Sequence, residues 1–253
     1  MKDEEHNLAR ALGSVPGGAS VLAIDAESSD RSADIARANG ARVVVRPWAG
    51  FVETRRFALS CVETPWTFML DADEALDTSL AAALGALSPG DGTDGYAVRR
   101  ATFFCGRPML HGAWGADTPL RFFRTARASL VAEPVAGGAA DLHERWTVPG
   151  ATGLLDGTLL HDSYPTLGAY RTKFDRYTSL EARGLRGSPL PLLRELLLAT
   201  LRVPYSLVVR GGWRDGWRGG YVALASAAYP VVVAWKALRP LGAAGDELST
   251  GSG

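Results

Sequence analysis

Hydrophobic positions in the N-terminal third of the chain change rhythm repeatedly. Leu8 and Leu12 lie one helical turn apart, and Glu4–Leu12 is predicted as an amphipathic helix. Ser20–Ile24 is a short, nearly unbroken apolar run closed by Asp25, the pattern of a buried parallel strand. Ser28, Ser29 and Asp30 supply capping chemistry for a helix that runs to about Asn39 and stops at Gly40. Ala41–Val45 is a second strand, closed by Arg46 and Pro47. Phe51–Val62 is a helix with Phe51, Arg55 and Leu59 stacked along one side. Trp66–Leu70 is a third strand, followed by an Ala/Leu helix over Leu76–Leu87. Strands alternating with helices predict βαβ units and a parallel sheet. Ligands of such sheets bind beyond the carboxyl ends of the strands, where Asp25, Arg46 and Asp71 all fall.

Beyond Gly95 the rhythm becomes strand-like and irregular. Tyr96–Phe104, Leu120–Arg124 and Gly153–Leu160 are predicted strands between Gly/Pro-rich stretches, a second half of the same domain. Leu167–Arg183 is a polar helix carrying Tyr170, Phe174 and Tyr177. Two apolar stretches close the chain, Leu190–Val209 and Gly219–Leu238.

At 253 residues the chain can bury a sizeable core. The formal net charge is zero, so there is no basic footprint for nucleic acid. Lysine occurs only at Lys2, Lys173 and Lys236, and the remaining positive charge is arginine, whose fork suits phosphate and carboxylate. Cys61 and Cys105 have no metal-ligand spacing and are expected as reduced thiols in a cytosolic setting.

The chemistry concentrates where the third strand ends, at Leu70-Asp71-Ala72-Asp73-Glu74. Divalent cations favour hard oxygen ligands and bridge carboxylates to phosphate oxygens. A carboxylate pair held directly behind a buried strand is suited to that task. Taken alone, Asp-x-Asp is also common turn and cap chemistry.

The surrounding motifs sharpen this. Asp25-Ala-Glu-Ser-Ser-Asp30-Arg-Ser resembles the D-x-x-S-x-D-x-T turn of family 2 glycosyltransferases with a GT-A fold. Gly50-Phe-Val-Glu-Thr-Arg55-Arg56-Phe-Ala-Leu resembles their G-x-x-x-x-R-N-x-A-L helix, and Leu70–Glu74 their L-D-A-D-E. The runs Gly106–Trp114, Leu120–Arg124, Leu142-His143-Glu144-Arg145 and Leu160–Tyr164 are similar to the branch that includes lipopolysaccharide-core β-1,4-glucosyltransferases. The resemblance covers about residues 3 to 183. It implies a GT-A, Rossmann-like α/β fold and an inverting transferase that moves glucose from a UDP-sugar to a hydroxyl of a cell-envelope glycan or lipid-linked acceptor. Asp25 and Arg55 would bind the donor, with Asp71 and Asp73 serving the ribose–diphosphate. Asp71, Asp73 and His161 would hold Mg2+ or Mn2+. Glu144 would be the general base, and Trp114 and His143 would face the acceptor.

Each assignment has a plainer counterpart. Asp25 and Asp30 also read as helix caps, Arg55 as a solvated helix arginine, Glu144 as a surface ion-pair partner, and His143 and His161 as packed histidines. Trp114 and Arg121 read as packing and strand-pairing residues. Two positions depart from the family pattern. Arg56 stands where Asn is usual, and the buried strand expected ahead of Lys2–Glu5 is absent, for which a start site lying upstream is the favoured explanation. A second function class, a non-catalytic nucleotide-binding or membrane scaffold, stays open on that ground. A haloacid-dehalogenase-type phosphotransferase fits less well, because Glu74-Ala75 follows the carboxylate pair.

The expected organisation is a GT-A domain over 1–187, a membrane-associating helical segment over 188–241 and a disordered tail over 242–253. Gly219–Trp235 carries no charge but is short for a span. Arginines at 183, 186, 194, 202, 210, 214 and 218 accompany the apolar stretches, with Trp213, Trp217 and Tyr221 as belt residues. The expectation is a cytoplasmic protein attached peripherally to the inner face of the cell membrane.

Overall fold

The computed structural model describes residues 1–88, 90, 92–115, 117–132, 144–182 and 190–238. The chain divides into two compact units. One holds the residues up to Leu110 with 114–132 and 144–166; the other holds 111–113 and the chain from Leu167 onward.

The first unit opens with helix α1 (Glu5–Gly13), strand β1 (Leu22–Asp25), α2 (Ser32–Ala38), β2 (Arg42–Val45), α3 (Phe51–Ser60) and β3 (Trp66–Phe68). Then come β4 (Glu74–Leu76), α4 (Thr78–Ala86), β5 (Thr93–Phe104), β6 (Arg107–Met109), β7 (Leu120–Arg124), β8 (Ser129–Ala132), β9 (Glu144–Thr147) and β10 (Ala151–Tyr164). β1 and β2 pair in parallel as a two-stranded sheet. A six-stranded sheet runs β3-β7-β5-β10-β4, with β6 also on β5, and β8 pairs β9 antiparallel.

The expected all-parallel sheet is therefore corrected to a mixed one. Among the described residues, parallel pairing is confined to β1/β2 and β5/β10, whereas β3 takes β7 as an antiparallel neighbour. The apolar run that looked like one strand to Leu70 stops at Phe68, and the acidic stretch lies in the turn before β4.

Asp30 joins the two N-terminal helices. Its Oδ2 accepts from Glu5 N at 3.0 Å and its Oδ1 from Ser32 N at 2.9 Å, so one carboxylate satisfies free amides at the starts of α1 and α2. Leu8, Ala36 and Ala41 form the core there. Leu76, Leu80, Val98, Leu155 and Leu159 form the largest core, between α4 and the β4/β10/β5 part of the sheet. Val52, Phe123, Leu130 and Trp146 form a third, which seats α3 and β9 beside β7. Gly157 makes the α4 contact possible. It sits at φ 98° in a bulge of β10, and a Cβ there would collide with the Leu80 backbone.

The second unit contains α5 (Leu167–Ala182), α6 (Leu190–Pro204) and α7 (Gly216–Leu238). α7 buries Gly219, Val222, Ala223, Ala227, Val233 and Ala234, one helical stripe, against α5 and α6. Among the described residues, Gly212–Leu238 is the one helical stretch long and apolar enough to cross a membrane by length and composition. Tyr229 hydroxyl donates to buried Glu181 at 2.7 Å, and Lys236 Nζ reaches Asp175 Oδ1 at 2.6 Å, so the unit is also tied by polar contacts from α7 to α5.

Candidate active site

The acidic turn is locked by reciprocal hydrogen bonds. Glu74 N donates to Asp71 O at 3.0 Å, and Asp71 N donates to Glu74 Oε2 at 3.1 Å. β7 still guides the chain into this turn, since Met69 N donates to Arg121 O at 2.8 Å.

Glu74 is fully buried, and a buried carboxylate is tolerated only with a close cationic partner. Arg121 supplies it. Its Nη2 donates both to Glu74 Oε1 and, at 3.0 Å, to Asp71 Oδ2. Arg100 on β5 adds a weaker contact at 3.5 Å to the same Glu74 oxygen, while its other edge meets Asp117 at 3.1 and 2.7 Å. From α3, Arg55 Nη2 donates to Asp71 Oδ1 at 2.8 Å. The Nε of that guanidinium lies 3.3 Å from Oε1 of Glu144, the first residue of β9, whose side chain is 8% exposed. Donor candidates Asp71 and Arg55 and base candidate Glu144 are thus brought together, with Arg121 and Glu74 beneath them.

The electrostatics follow from this packing. Burial pushes the Asp71 carboxyl up, but Arg121 and then Arg55 outweigh it and hold the group far below the usual carboxylate range. Burial also opposes the Arg121 charge, yet Glu74 and Asp71 raise its pKa above the already high guanidinium value. Both groups stay charged.

Asp73 faces a different neighbour. Its Oδ2 lies 3.3 Å from His161 Nε2, and both side chains are about one-fifth exposed. The β4/β10 ladder sets this spacing, because His161 is the register partner of Glu74, next to Asp73. Ser163 hydroxyl bonds the same ring nitrogen at 2.6 Å, and Arg10 Nη2 fixes the Asp73 carbonyl at 3.0 Å.

A carboxylate and an imidazole at this spacing fit a divalent cation as two donors, leaving other positions for phosphate oxygen and water. Asp71 is engaged differently: two guanidiniums, from Arg55 and Arg121, hold its oxygens. Among the described residues no three Asp, Glu, His or Cys side chains gather as a closed cage.

Asp25 is buried at the end of β1, where it accepts from Ser28 hydroxyl at 2.5 Å and from Ser28 N. Its carboxylate and that of Asp71 both lie within electrostatic reach of the Met1 amine. Burial lowers that amine's pKa, and Asp25, then Glu4 and Asp71, oppose the fall. Arg46 instead lies over the Phe57 ring at 4.2 Å. Trp114 stacks on Tyr164 at 5.0 Å and meets Phe104 edge-on at 5.7 Å, so one indole face is already covered. His143 lies outside the described residues.

Glu74 had no role in the sequence reading, and Arg121, read there as a packing and strand-pairing residue, proves to be its ion-pair partner. The signal was the alternation in Leu120-Arg121-Phe122-Phe123. Arg121 and Phe123 share the buried face of β7, and an arginine at an inward strand position requires a buried carboxylate.

Comparison with known proteins gives the following matches. The family model described as glycosyl transferase family 2 matches residues 1–137, more than half of the chain. An uncharacterized glycosyltransferase of Rickettsia typhi is 41% identical over 80 residues, 31% of this chain and 27% of that relative's length. The lipopolysaccharide core biosynthesis glycosyltransferase LpsC of Rhizobium meliloti is 27% identical over 243 residues, 92% of this chain and 88% of the relative. Among solved structures, the mannosyltransferase PcManGT from Pyrobaculum calidifontis, in complex with GDP-Man and Mn2+, shares the fold. Its TM-score is 0.51 at 14% identity, over 94% of this chain and 84% of that one.

Proposed function

The chain belongs to glycosyl transferase family 2, and we propose that it moves a sugar, glucose in our reading, from a UDP-sugar to a hydroxyl of a cell-envelope glycan or lipid-linked acceptor. The likeness to LpsC along nearly the whole chain supports that acceptor class. The observation that carries the reading is the single guanidinium of Arg55, which touches both the donor-side carboxylate Asp71 and the base candidate Glu144.

Glu144 accepts the proton of the acceptor hydroxyl. The oxygen forms a bond to the anomeric carbon from the face opposite the diphosphate, and the sugar–phosphate bond breaks with its electron pair leaving on UDP. The product is inverted. Arg55 keeps Glu144 oriented through the 3.3 Å contact to its Oε1. Asp71, held by Arg55 and Arg121, is a rigid acceptor for donor hydroxyls at the turn. Asp25, at the end of the neighbouring parallel pair, serves the nucleoside end.

Asp73 and His161 would hold Mg2+ or Mn2+. Bound there, the cation would offset the negative charge that grows on the departing diphosphate. Half-buried Trp114, stacked on Tyr164, is the aromatic we assign to the acceptor side. The C-terminal helical unit attaches the protein peripherally to the inner face of the cell membrane. This reading is supported by the exposure of Leu193, Leu196, Leu197, Leu201, Val208 and Val209 on that unit.

A panel of UDP- and GDP-sugars with Mn2+ tests the activity, read as nucleotide release in the presence of envelope glycolipid. UDP-glucose is expected to turn over fastest. Metal-dependent UDP binding without any transfer would instead support the scaffold reading.

A further inference from the structure

The C-terminal unit contains a pocket separate from the acidic turn, and its origin is a defect in α6. Pro204 has no amide to donate, and the helical ladder widens after it into a π turn over Tyr205–Val209. The widening ends at Gly211, which takes φ 69°, and Gly112 N clamps it by donating to Arg210 O at 2.9 Å. His111, next to that clamp, bonds Asp215 through both its amide and its Nδ1, each at 2.9 Å.

Ser206 is drawn inward by this turn. It is 6% exposed, and among the described residues its Oγ is buried with no hydrogen-bond partner. A buried hydroxyl left unpaired is destabilising. Ser206 lines a pocket of about 200 Å³ together with Arg202, Tyr205, Arg210, Ser226 and the alanines Ala113, Ala223 and Ala227. Arg202 is already held by Glu195 at 2.6 Å. Arg210 makes no ion pair among the described residues, and Asp215 on the adjoining turn is occupied by His111. The pocket therefore combines an uncompensated guanidinium with a buried hydroxyl that lacks a partner.

The elements that carry the pocket also expose apolar side chains. Leu197, Leu201, Val208 and Val209, on α6 and the π turn themselves, are 63%, 67%, 71% and 69% exposed. A free anion would leave those side chains in water. A phosphate carried on acyl chains would cover them while its oxygens meet Arg210 and Ser206.

The geometry points to a binding site for the phosphate headgroup of an anionic membrane lipid, formed by Arg210, Ser206 and Arg202 at the π turn between α6 and α7. It rests on the reading of this unit as membrane-facing and adds to it a specific contact.

Vesicle sedimentation of the full chain tests it, with phosphatidylcholine alone and with phosphatidylcholine mixed with phosphatidylglycerol. The wild type is expected to favour the mixed vesicles. Arg210→Ala is expected to lose about five-fold of that binding, the weight of one arginine near an anionic surface, and Ser206→Ala a smaller part. Arg210 is exposed, so its replacement leaves the fold intact, and unchanged thermal melting checks this. Inorganic phosphate at millimolar concentration is expected not to displace the protein. Equal binding to both vesicle types overturns the headgroup site while leaving membrane attachment standing. Undiminished binding by Arg210→Ala, or displacement by free phosphate, overturns it too. No binding to either vesicle overturns both the site and the attachment.

Discussion

The Nε of Arg55 lies 3.3 Å from Oε1 of Glu144, across from α3 to the first residue of β9. The base candidate is thus held by the helix that also holds Asp71. Glu144→Gln keeps the shape and removes the proton acceptor. It is expected to lower kcat by about 10²–10⁴-fold, the usual worth of a positioned base, with UDP affinity nearly unchanged. Steady-state nucleotide release and UDP calorimetry check the two halves.

Arg121 is expected to matter for stability more than Arg100. Arg121→Met leaves two carboxylates, Asp71 and Glu74, without their buried partner. Breaking such a pair costs about 3–5 kcal/mol, read as a large fall in the urea midpoint. Arg100→Met removes a one-quarter-exposed guanidinium whose contact to Glu74 is long and whose close partner, Asp117, is itself exposed. Its cost is expected to stay below about 1 kcal/mol.

The pH dependence has a defined sign. The Asp71 carboxyl is depressed in the folded chain, so the unfolded chain binds its proton first as pH falls. Its stabilisation is present above the unfolded value of about 4 and drains away below it. Asp71→Asn is expected to be less stable than wild type at neutral pH. The gap should narrow as urea midpoints are followed from pH 7 down to pH 3.

The two-donor cation site is tested without turnover. Mn2+ titration followed by electron paramagnetic resonance, with UDP present, is expected to give weaker binding by at least about ten-fold for Asp73→Asn and for His161→Ala. Asp71→Asn is expected to leave Mn2+ affinity close to wild type. The reverse ranking would return the cation to Asp71.

Much of the fold was legible because it is local. Leu8 with Leu12, the run to Ile24, and Phe51 with Leu59 each announce an element through spacing alone, and all three form as expected. Partner choice was not legible. Nothing in Trp66–Phe68 states that its neighbour is β7, because pairing is decided by residues far along the chain. The same limit explains the site. Asp71 and Asp73 looked equivalent, one residue apart. Their surroundings separate only when Arg121, fifty positions on, takes one and His161 on β10 meets the other.

The bulge at Gly157 and the ladder from β10 to β4 have a consequence for how this protein can vary. Side chains along a strand switch sides at every step. Deleting a single residue between the bulge and His161 would turn the imidazole away from Asp73 altogether. β10 therefore acts as a ruler with Gly157 as its zero mark. Between that mark and the histidine the count is fixed.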